Sequence, residues 1–294
     1  AAHPLRDEII STVVVNDLIN NGGITVVFRA CEETGASPLE VVRAATAATA
    51  IFDLPSLWSA LDALDNEVPT AAQDALHHES RRLLDRSIRW FLQSRGGSID
   101  VTAEIARFAP TVRDLTPRVP GALLGTERTR LEESTLALTS LGSPPALAEQ
   151  AGTMLDAFAL LDIVQVAATV GQSPGDIMSV YFAVSERYDV DRLLMRITGL
   201  ARGDRWTALA RQALRTDLYA ALAGVTAAVA AATSPEMPAL ERIVTWEDLH
   251  REGITRAQAT LDQIAALETW DLATLSVALR VLRNLVAQGQ SSGG

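Results

Sequence analysis

The sequence predicts an all-α protein, and three observations support this fold class. Apolar residues recur at helical spacing along most of the 294 residues, for example from Leu83 through Ile88 to Phe91. The two β-branched runs, Ser11–Val15 and Ile24–Phe28, lie within longer helical patterns, so we expect helix there as well. Glycine, serine and proline occur together at the boundaries of these patterns, as helix ends and starts require.

An internal repeat sets the expected order of the helices. The segment Thr34–Leu61 aligns without gaps with Val170–Ile197 at an offset of 136 residues, and Leu76 and Leu214 keep similar neighbours at a slightly different spacing. The identical pairs are Gly35/Gly171, Ser37/Ser173, Pro38/Pro174, Ala47/Ala183, Asp53/Asp189 and Leu57/Leu193. The predicted organisation is a first helical unit at 1–95, a helical connector at 96–138, a second, related unit at 139–232, and C-terminal helices with a flexible tail at 233–294.

The repeated motif is Gly-x-Ser-Pro-x-acid, followed by an apolar helix. We expect the glycine to end one helix in a left-handed conformation, the serine to cap the next helix, and the proline to occupy its first position. The acidic residue comes three positions after the serine, where it completes a capping box or favours the helix dipole. The two sets are Gly35, Ser37, Pro38 and Glu40, and Gly171, Ser173, Pro174 and Asp176.

The second copy also matches G-x-S-x-G, the nucleophile elbow of serine hydrolases. That motif requires a strand before the serine and the backbone N–H of the residue after it. Pro174 has no N–H, the first copy has Leu39 instead of the second glycine, and only His250 follows as a possible base. We therefore interpret Ser173 as a helix cap and not as a nucleophile.

Other residue types that carry chemistry are scarce. The histidines are His3, His77, His78 and His250; His77 and His78 are adjacent on a helix and cannot clamp one metal ion together. Cys31, the single cysteine, is expected to be a small buried apolar residue. All 25 basic residues are arginine, and no nucleotide-binding glycine motif occurs. The sequence thus predicts no catalytic, cofactor-binding or metal-binding residue in this chain.

Composition narrows the possible partners. The net charge of −11 disfavours nucleic acid and anionic membrane surfaces. No segment resembles a signal peptide, and the most apolar run, Leu218–Ala232, is expected to be a core helix. The chain starts without methionine and almost at once on a helix, which suggests a fragment of a longer polypeptide. Its end, QGQSSGG, is expected to fray.

Three polar or apolar patterns leave alternatives open. Asn16 and Asn20 lie one turn apart on an apolar stretch, either as a buried pair that fastens two helices or as a ligand site. Arg81, Arg82, Arg86 and Arg89 share a helix with Glu79 and Asp85, and ion pairs or an interdomain contact are favoured over anion capture. Leu272, Leu275, Leu279, Leu282 and Val286 form a stripe that indicates core packing, with a partner helix as the alternative.

Several segments are specific enough to indicate a family. They are HPL-x-x-EII, the Asn-Asp…Asn-x-x-Gly block and EETGASP between His3 and Ala45, then FDLPSLW, LDALDNEVP, SRRLLDRSIRWFL and, more weakly, ITGLARGDRWTALARQALRTDLY. Almost the whole chain resembles the C-terminal region of the large bacterial NAD-dependent glutamate dehydrogenases.

This resemblance implies a long cytoplasmic, oligomeric polypeptide that oxidises L-glutamate to 2-oxoglutarate and ammonium with NAD. In that family a regulatory N-terminal segment and a central catalytic part with a Rossmann domain precede the helical C-terminal region. The catalytic lysines and nucleotide-binding glycines of the family match no position here, so NAD would bind elsewhere in the parent enzyme. We therefore expect an accessory region that packs on its own polypeptide. The alternatives are an independent protein-interaction module and a small-molecule sensor at Asn16 and Asn20.

Overall fold

The structure is a computed structural model that describes residues 5–201 and 203–291. His3 and the last three residues of the predicted tail lie outside these ranges. Within them every regular element is a helix and no strand occurs, which confirms the all-α prediction. The first helices are α1 (Arg6–Gly22), α2 (Val26–Thr34), α3 (Pro38–Ile51), α4 (Leu54–Asp62), α5 (Thr70–Ser94), α6 (Val101–Leu115), a 3-10 turn (Thr116–Arg118), α7 (Val119–Ala122), α8 (Gly125–Ser140) and α9 (Pro145–Ala157). The remaining helices are α10 (Leu160–Val170), α11 (Pro174–Arg187), α12 (Val190–Gly199), α13 (Arg205–Ala232), α14 (Ala239–Leu249), α15 (Arg251–Ala265) and α16 (Leu272–Ser291).

The helices group into two compact units. The first contains Ala1–Pro120 and Arg130–Leu160, and the second contains Gly121–Thr129 and Leu161–Gly294. This grouping differs from the predicted boundaries, because α9 packs on α5 and so belongs to the first unit. The predicted boundaries describe a relationship between sequences, and they stay a prediction.

The first unit has its core between α3, α5 and α6. The alanine-rich face of α3 is buried against the other two helices. Because its side chains are small, the helices can approach closely. Trp90, Phe91 and Phe108 pack edge to face, with ring centroids 5.0 to 6.0 Å apart. Helix α6 therefore contributes to the core, although the sequence predicted it as part of a connector.

The second unit is organised around α13. Leu218, Val225 and Val229 are buried, which confirms the predicted core helix. Helix α16 packs along it with Leu275, Leu279 and Leu282 buried, so core packing within the chain is confirmed for these three residues of the stripe, whereas Leu272 is 40% exposed. A Cβ at Gly224 would stand 2.9 Å from Val286, which shows why a glycine is needed where α16 crosses.

Local structure repeats where the sequence does. Helices α11 and α12 begin 136 residues after α3 and α4. The residue directly before α4 and before α12 is a left-handed aspartate, Asp53 (φ 51°) or Asp189 (φ 54°). Buried positions in α13 lie 138 residues after buried positions in α5, which is the offset of the Leu76/Leu214 pair. The buried pairs are Leu76/Leu214, Ser80/Leu218, Leu83/Ala221, Leu84/Leu222, Ser87/Val225, Ile88/Thr226 and Phe91/Val229.

The predicted connector is helical, and the sequence predicts turns in it at Gly96-Gly97, Pro117 and Pro120-Gly121. Gly96 and Gly97 both have positive φ and separate α5 from α6, as expected. Pro120 and Gly121 lie inside the one-turn helix α7 and not in a turn. Among the described residues no single helix is long and apolar enough to cross a membrane, although α9 and α10 together would meet that length and composition.

Candidate functional site

The first joint, residues 35–40, has the geometry that the motif predicts. Gly35 is left-handed (φ 73°) and ends α2, and Ser37 is extended and caps α3. The Ser37 hydroxyl accepts from the Glu40 N–H at 3.4 Å, while the Ser37 N–H donates to Glu40 Oε2 at 2.7 Å, so the predicted capping box is confirmed. The hydrogen bond from the Ser37 backbone, together with its hydroxyl, lowers the pKa of Glu40.

The second joint, residues 171–176, has the same backbone path without the cap. Gly171 is left-handed (φ 69°), Ser173 is extended and Pro174 starts α11. The Ser173 side chain makes no capping hydrogen bond, so the prediction of a side-chain cap is wrong here. Asp176 is one methylene shorter than Glu40, and a capping box needs the longer side chain to reach back to the N-cap.

A buried arginine stabilises the second joint instead. Arg242 on α14 is 1% exposed and donates from Nη2 to Gln172 Oε1 at 2.8 Å and from Nε to Thr233 Oγ1 at 2.9 Å. Gln172 in turn donates to the Ala230 carbonyl oxygen at 2.7 Å. Desolvation lowers the pKa of Arg242, and the negative charge of Asp176 opposes this effect. Arg242 therefore joins the motif to the end of α13 and to α14, which the sequence did not indicate.

The nucleophile-elbow interpretation has no support in this geometry. The residues before Ser173 form α10 and not a strand. Ser173 is exposed, and the Nδ1 of His250, the residue after α14, lies 2.8 Å from the carbonyl oxygen of Trp246 in that helix. The rejection of a hydrolase site rests on the same Pro174 that starts α11.

The arginine-rich face of α5 forms ion pairs within the first unit. Arg89 is 3% exposed; its Nε contacts Glu33 of α2, and its Nη1 lies 2.6 Å from Asp85 Oδ1. Arg82 pairs with Glu79 at 2.8 Å. Burial acts to lower the pKa of Arg89, but Asp85 and Glu33 outweigh it and raise that pKa above its ordinary value. The favoured ion-pair interpretation is confirmed for these two arginines.

A buried polar cluster occupies the second unit. The Ser185 hydroxyl donates to Glu127 Oε1 at 2.7 Å, and the Tyr181 hydroxyl lies 3.5 Å from Asp162 Oδ2. Desolvation, followed by the charge of Asp162, raises the pKa of Tyr181 well above its ordinary value. Tyr181 therefore stays protonated at neutral pH and acts as a hydrogen-bond donor in the core.

A groove of about 400 Å³ opens between α1, α3, α4 and α5 in the first unit. It is lined by Val14, Asp17, Leu18, Asn21, Ala45, Thr46, Thr49, Pro55, Trp58, Ser59, Asp62 and Leu84. Asp17 and Asp62 are its charged residues, so the groove suits a hydrogen-bond donor or a cation better than an anion. Asn21 donates to the Asp17 carbonyl oxygen at 3.0 Å within α1.

The predicted asparagine pair lies outside this groove. Asn16 and Asn20 are both exposed, so the expectation of a buried pair that fastens two helices of this chain is wrong. Their face of α1 points away from Leu18, the residue that anchors the helix, and groove-lining Asp17 and Asn21 come one position later along the helix. The helical spacing correctly places Asn16 and Asn20 on one face of α1. It could not show whether the other helices of the unit cover that face.

No metal centre emerges from the part of the chain that the structure describes. Within it no three side chains of His, Cys, Asp or Glu are grouped so that they could hold an ion. Cys31 is half-buried, whereas the sequence predicted a buried residue. His78 lies 3.6 Å from Glu79, at an exposed position on α5.

Comparison with known proteins connects these features to one group. Residues 1–284 match the profile of the family described as "Glutamate dehydrogenase, C-terminal". The chain is 39% identical over 284 residues to the NAD-specific glutamate dehydrogenase of Mycobacterium tuberculosis, which covers 97% of this chain and 17% of that protein. It is 32% identical to the NAD-specific glutamate dehydrogenase of Pseudomonas aeruginosa, over 98% of this chain and 18% of that protein. The enzyme of the same description from Halomonas elongata is 30% identical, over 96% of this chain and 18% of that protein. The chain thus spans less than a fifth of the length of these relatives.

Proposed function

Because the chain belongs to the family of glutamate dehydrogenase C-terminal regions, we propose that it is the helical C-terminal part of a large NAD-dependent glutamate dehydrogenase. The parent polypeptide would convert L-glutamate, NAD+ and water to 2-oxoglutarate, ammonium and NADH. The observation that carries this proposal is a family match over residues 1–284, combined with relatives of which the chain covers only 17% to 18%.

The role proposed for this region is structural or regulatory, and the chemistry is assigned to the rest of the polypeptide. Two arginines of the first unit form ion pairs with its carboxylates: Arg89 contacts Glu33 and Asp85, and Arg130 pairs with Asp156 at 2.7 Å. Lysine is absent from the sequence, which removes that residue as a base or substrate ligand. These features support a scaffold whose polar groups stabilise helix packing.

The finer parts of the proposal concern partners and location. We propose that the region packs on the catalytic and N-terminal parts of its own polypeptide, that the parent is a homo-oligomer, and that it works in the cytoplasm. The single cysteine supports a reducing compartment. Size-exclusion chromatography with light scattering on the parent, and fractionation of the source cells, test these statements.

Deletion is the direct test of the role. We expect the parent polypeptide without residues 1–294 to lose activity, to change oligomeric state or to unfold at lower temperature. Rates with glutamate and NAD, light scattering and calorimetry measure the three properties. A control variant removes only residues 292–294. The proposal fails if all three properties are unchanged by the full deletion.

The internal duplication is a further part of the proposal. The repeated helix bounds, the paired left-handed aspartates and the shared burial pattern of α5 and α13 support it. An experimental structure of the chain would test it by superposing residues 24–62 on residues 160–198. We expect backbone agreement within about 2 Å over both helix pairs, on the scale of homologous packing. A different crossing of the two pairs would contradict the duplication.

A further inference from the structure

Helix α1 exposes apolar side chains that a core helix would bury. Leu5 is 56% exposed, Ile9 50% and Val13 52%. Among the described side chains of α1 only Leu18 is buried, at 6% exposure. The turn after α1 and the start of α2 continue this pattern, since Ile24 is 86% and Phe28 68% exposed.

Several exposed residues of α1 share the side of the helix that lies opposite Leu18. Ile9, Val13, Asn16 and Asn20 are spaced by four, three and four residues, which places them on one face at 100° per residue. Leu18 lies on the opposite side and anchors α1 to the unit. We call the side with Leu5, Ile9, Val13, Asn16 and Asn20 the outer face of α1.

The outer face has the composition of a helix–helix contact. Helices of this length gain most of their stability from packing an apolar face, and Leu5, Ile9 and Val13 give the outer face such a surface. An asparagine within an apolar seam fixes the register between two helices by hydrogen bonding across it. The sequence pattern suggested this fastening role, and no helix of the first unit covers Asn16 or Asn20, which are both exposed.

We propose that the outer face of α1 docks the part of the same polypeptide that precedes residue 1, through an apolar surface with amide hydrogen-bond partners. This inference rests on the proposed function, because the matched family is a C-terminal region and more than four-fifths of each relative lies outside the match. Residue 5 starts the outer face, so the preceding chain joins the protein directly beside it. A partner tethered at that distance has a high effective concentration, which favours it over any separate molecule.

Two valines provide a matched test. Val13 on α1 is 52% exposed and Val244 on α14 is 56% exposed, and both lie on helices. Val13→Cys and Val244→Cys are introduced separately into the full-length polypeptide, and the rate of maleimide labelling is followed by mass spectrometry of the corresponding peptide. We expect labelling at position 13 to be at least tenfold slower than at position 244. Equal rates at the two positions would overturn the proposal.

Labelling at a series of protein concentrations distinguishes shielding by the same polypeptide from shielding by a second copy. Shielding by the same polypeptide persists at every protein concentration. Shielding that disappears when the oligomer dissociates would identify a second copy on this face and would also overturn the proposal.

The labelling experiment and the deletion experiment can fail independently, so the docking surface and the proposed function are tested separately. If position 13 is shielded while deletion of residues 1–294 changes neither activity, assembly nor stability, the proposed role fails and the docking surface stands. If the deletion inactivates the enzyme while position 13 reacts as fast as position 244, the docking surface fails and the proposed role stands.

Discussion

The two joints of the protein follow one backbone path and are stabilised by different side chains. In the first joint Ser37 and Glu40 bond each other within three residues of sequence. In the second joint Ser173 makes no such bond, and Gln172 bonds Arg242, which lies 70 residues further along the chain. Both joints nevertheless keep a left-handed glycine, an extended serine and a proline at the first helical position.

This difference shows which part of the shared motif is required for geometry. Glycine permits positive φ, and proline starts a helix without needing its own N–H, so these residues fix the path. The side chains that stabilise this backbone path differ: a nearby carboxylate, Glu40, in the first joint and a buried arginine distant in sequence, Arg242, in the second. The identity of the motif in the two copies therefore indicates architecture and not a shared chemical task.

The same contrast extends to the long helices. In the first unit Arg89 of α5 binds the carboxylates of Asp85 and Glu33. At the offset of 138 residues that relates α5 to α13, Ala223 and Ala227 of the second unit correspond to Asp85 and Arg89. A buried ion pair and an apolar contact can fill the same position, because the desolvation of charges offsets much of their attraction.

The largest expected effect comes from breaking the ion pairs of the first unit. Arg89→Met removes the cation and leaves two partly buried carboxylates, so we expect the free energy of unfolding to fall by about 3 kcal/mol. Urea unfolding followed by tryptophan fluorescence measures it. Arg82→Met is the control, because Arg82 is more exposed and its pair with Glu79 should contribute less than about 1 kcal/mol. Equal effects of the two substitutions would contradict a buried role for Arg89.

The next effect concerns the second joint. Arg242→Met removes the donors to Gln172, Thr233 and the Ala230 carbonyl oxygen, and we expect a loss of about 2 kcal/mol because these buried acceptors remain. Arg251, which pairs with Asp248 at the surface with 75% of its side chain exposed, is the matched control. The comparison between the joints would be wrong if Arg242→Met were as mild as Arg251→Met.

The sequence was sufficient where the determinants are local. The helices, the first joint and the core stripe of α16 were predicted from spacing, because each depends on residues within a few positions of one another. The Gln172–Arg242 bond was not predicted, since nothing near Arg242 distinguishes it from the other arginines. Asn16 and Asn20 were placed on a shared face correctly, but burial of that face depends on what packs against α1, which periodicity does not encode.

The two cap serines give the most direct comparison of the joints. Ser37→Ala removes the hydroxyl that accepts from the Glu40 N–H, and we expect a loss of about 1 kcal/mol from the free energy of unfolding. Ser173→Ala removes a side chain without a capping bond and should cost no more than a few tenths of a kcal/mol on the same basis. Denaturant unfolding of both variants against the parent chain measures the difference. Similar losses in the two variants would show that Ser173 caps α11 in solution after all.

The smallest expected effect is a pH dependence confined to the first joint. The pKa of Glu40 is lowered from 4.5 in the folded protein, so its contribution to stability is complete above the unfolded value and declines as pH falls through the lower folded value. Glu40→Gln should therefore reduce the unfolding midpoint at pH 7 and bring it close to that of the parent chain near pH 3. Thermal unfolding at the two pH values measures the change. Ser37→Ala is a second variant that loses only the hydroxyl bonds and keeps the backbone N–H bond to Glu40, so it should retain part of the pH dependence. A midpoint difference between Glu40→Gln and the parent that is the same at both pH values would mean that the carboxylate charge does not stabilise this joint.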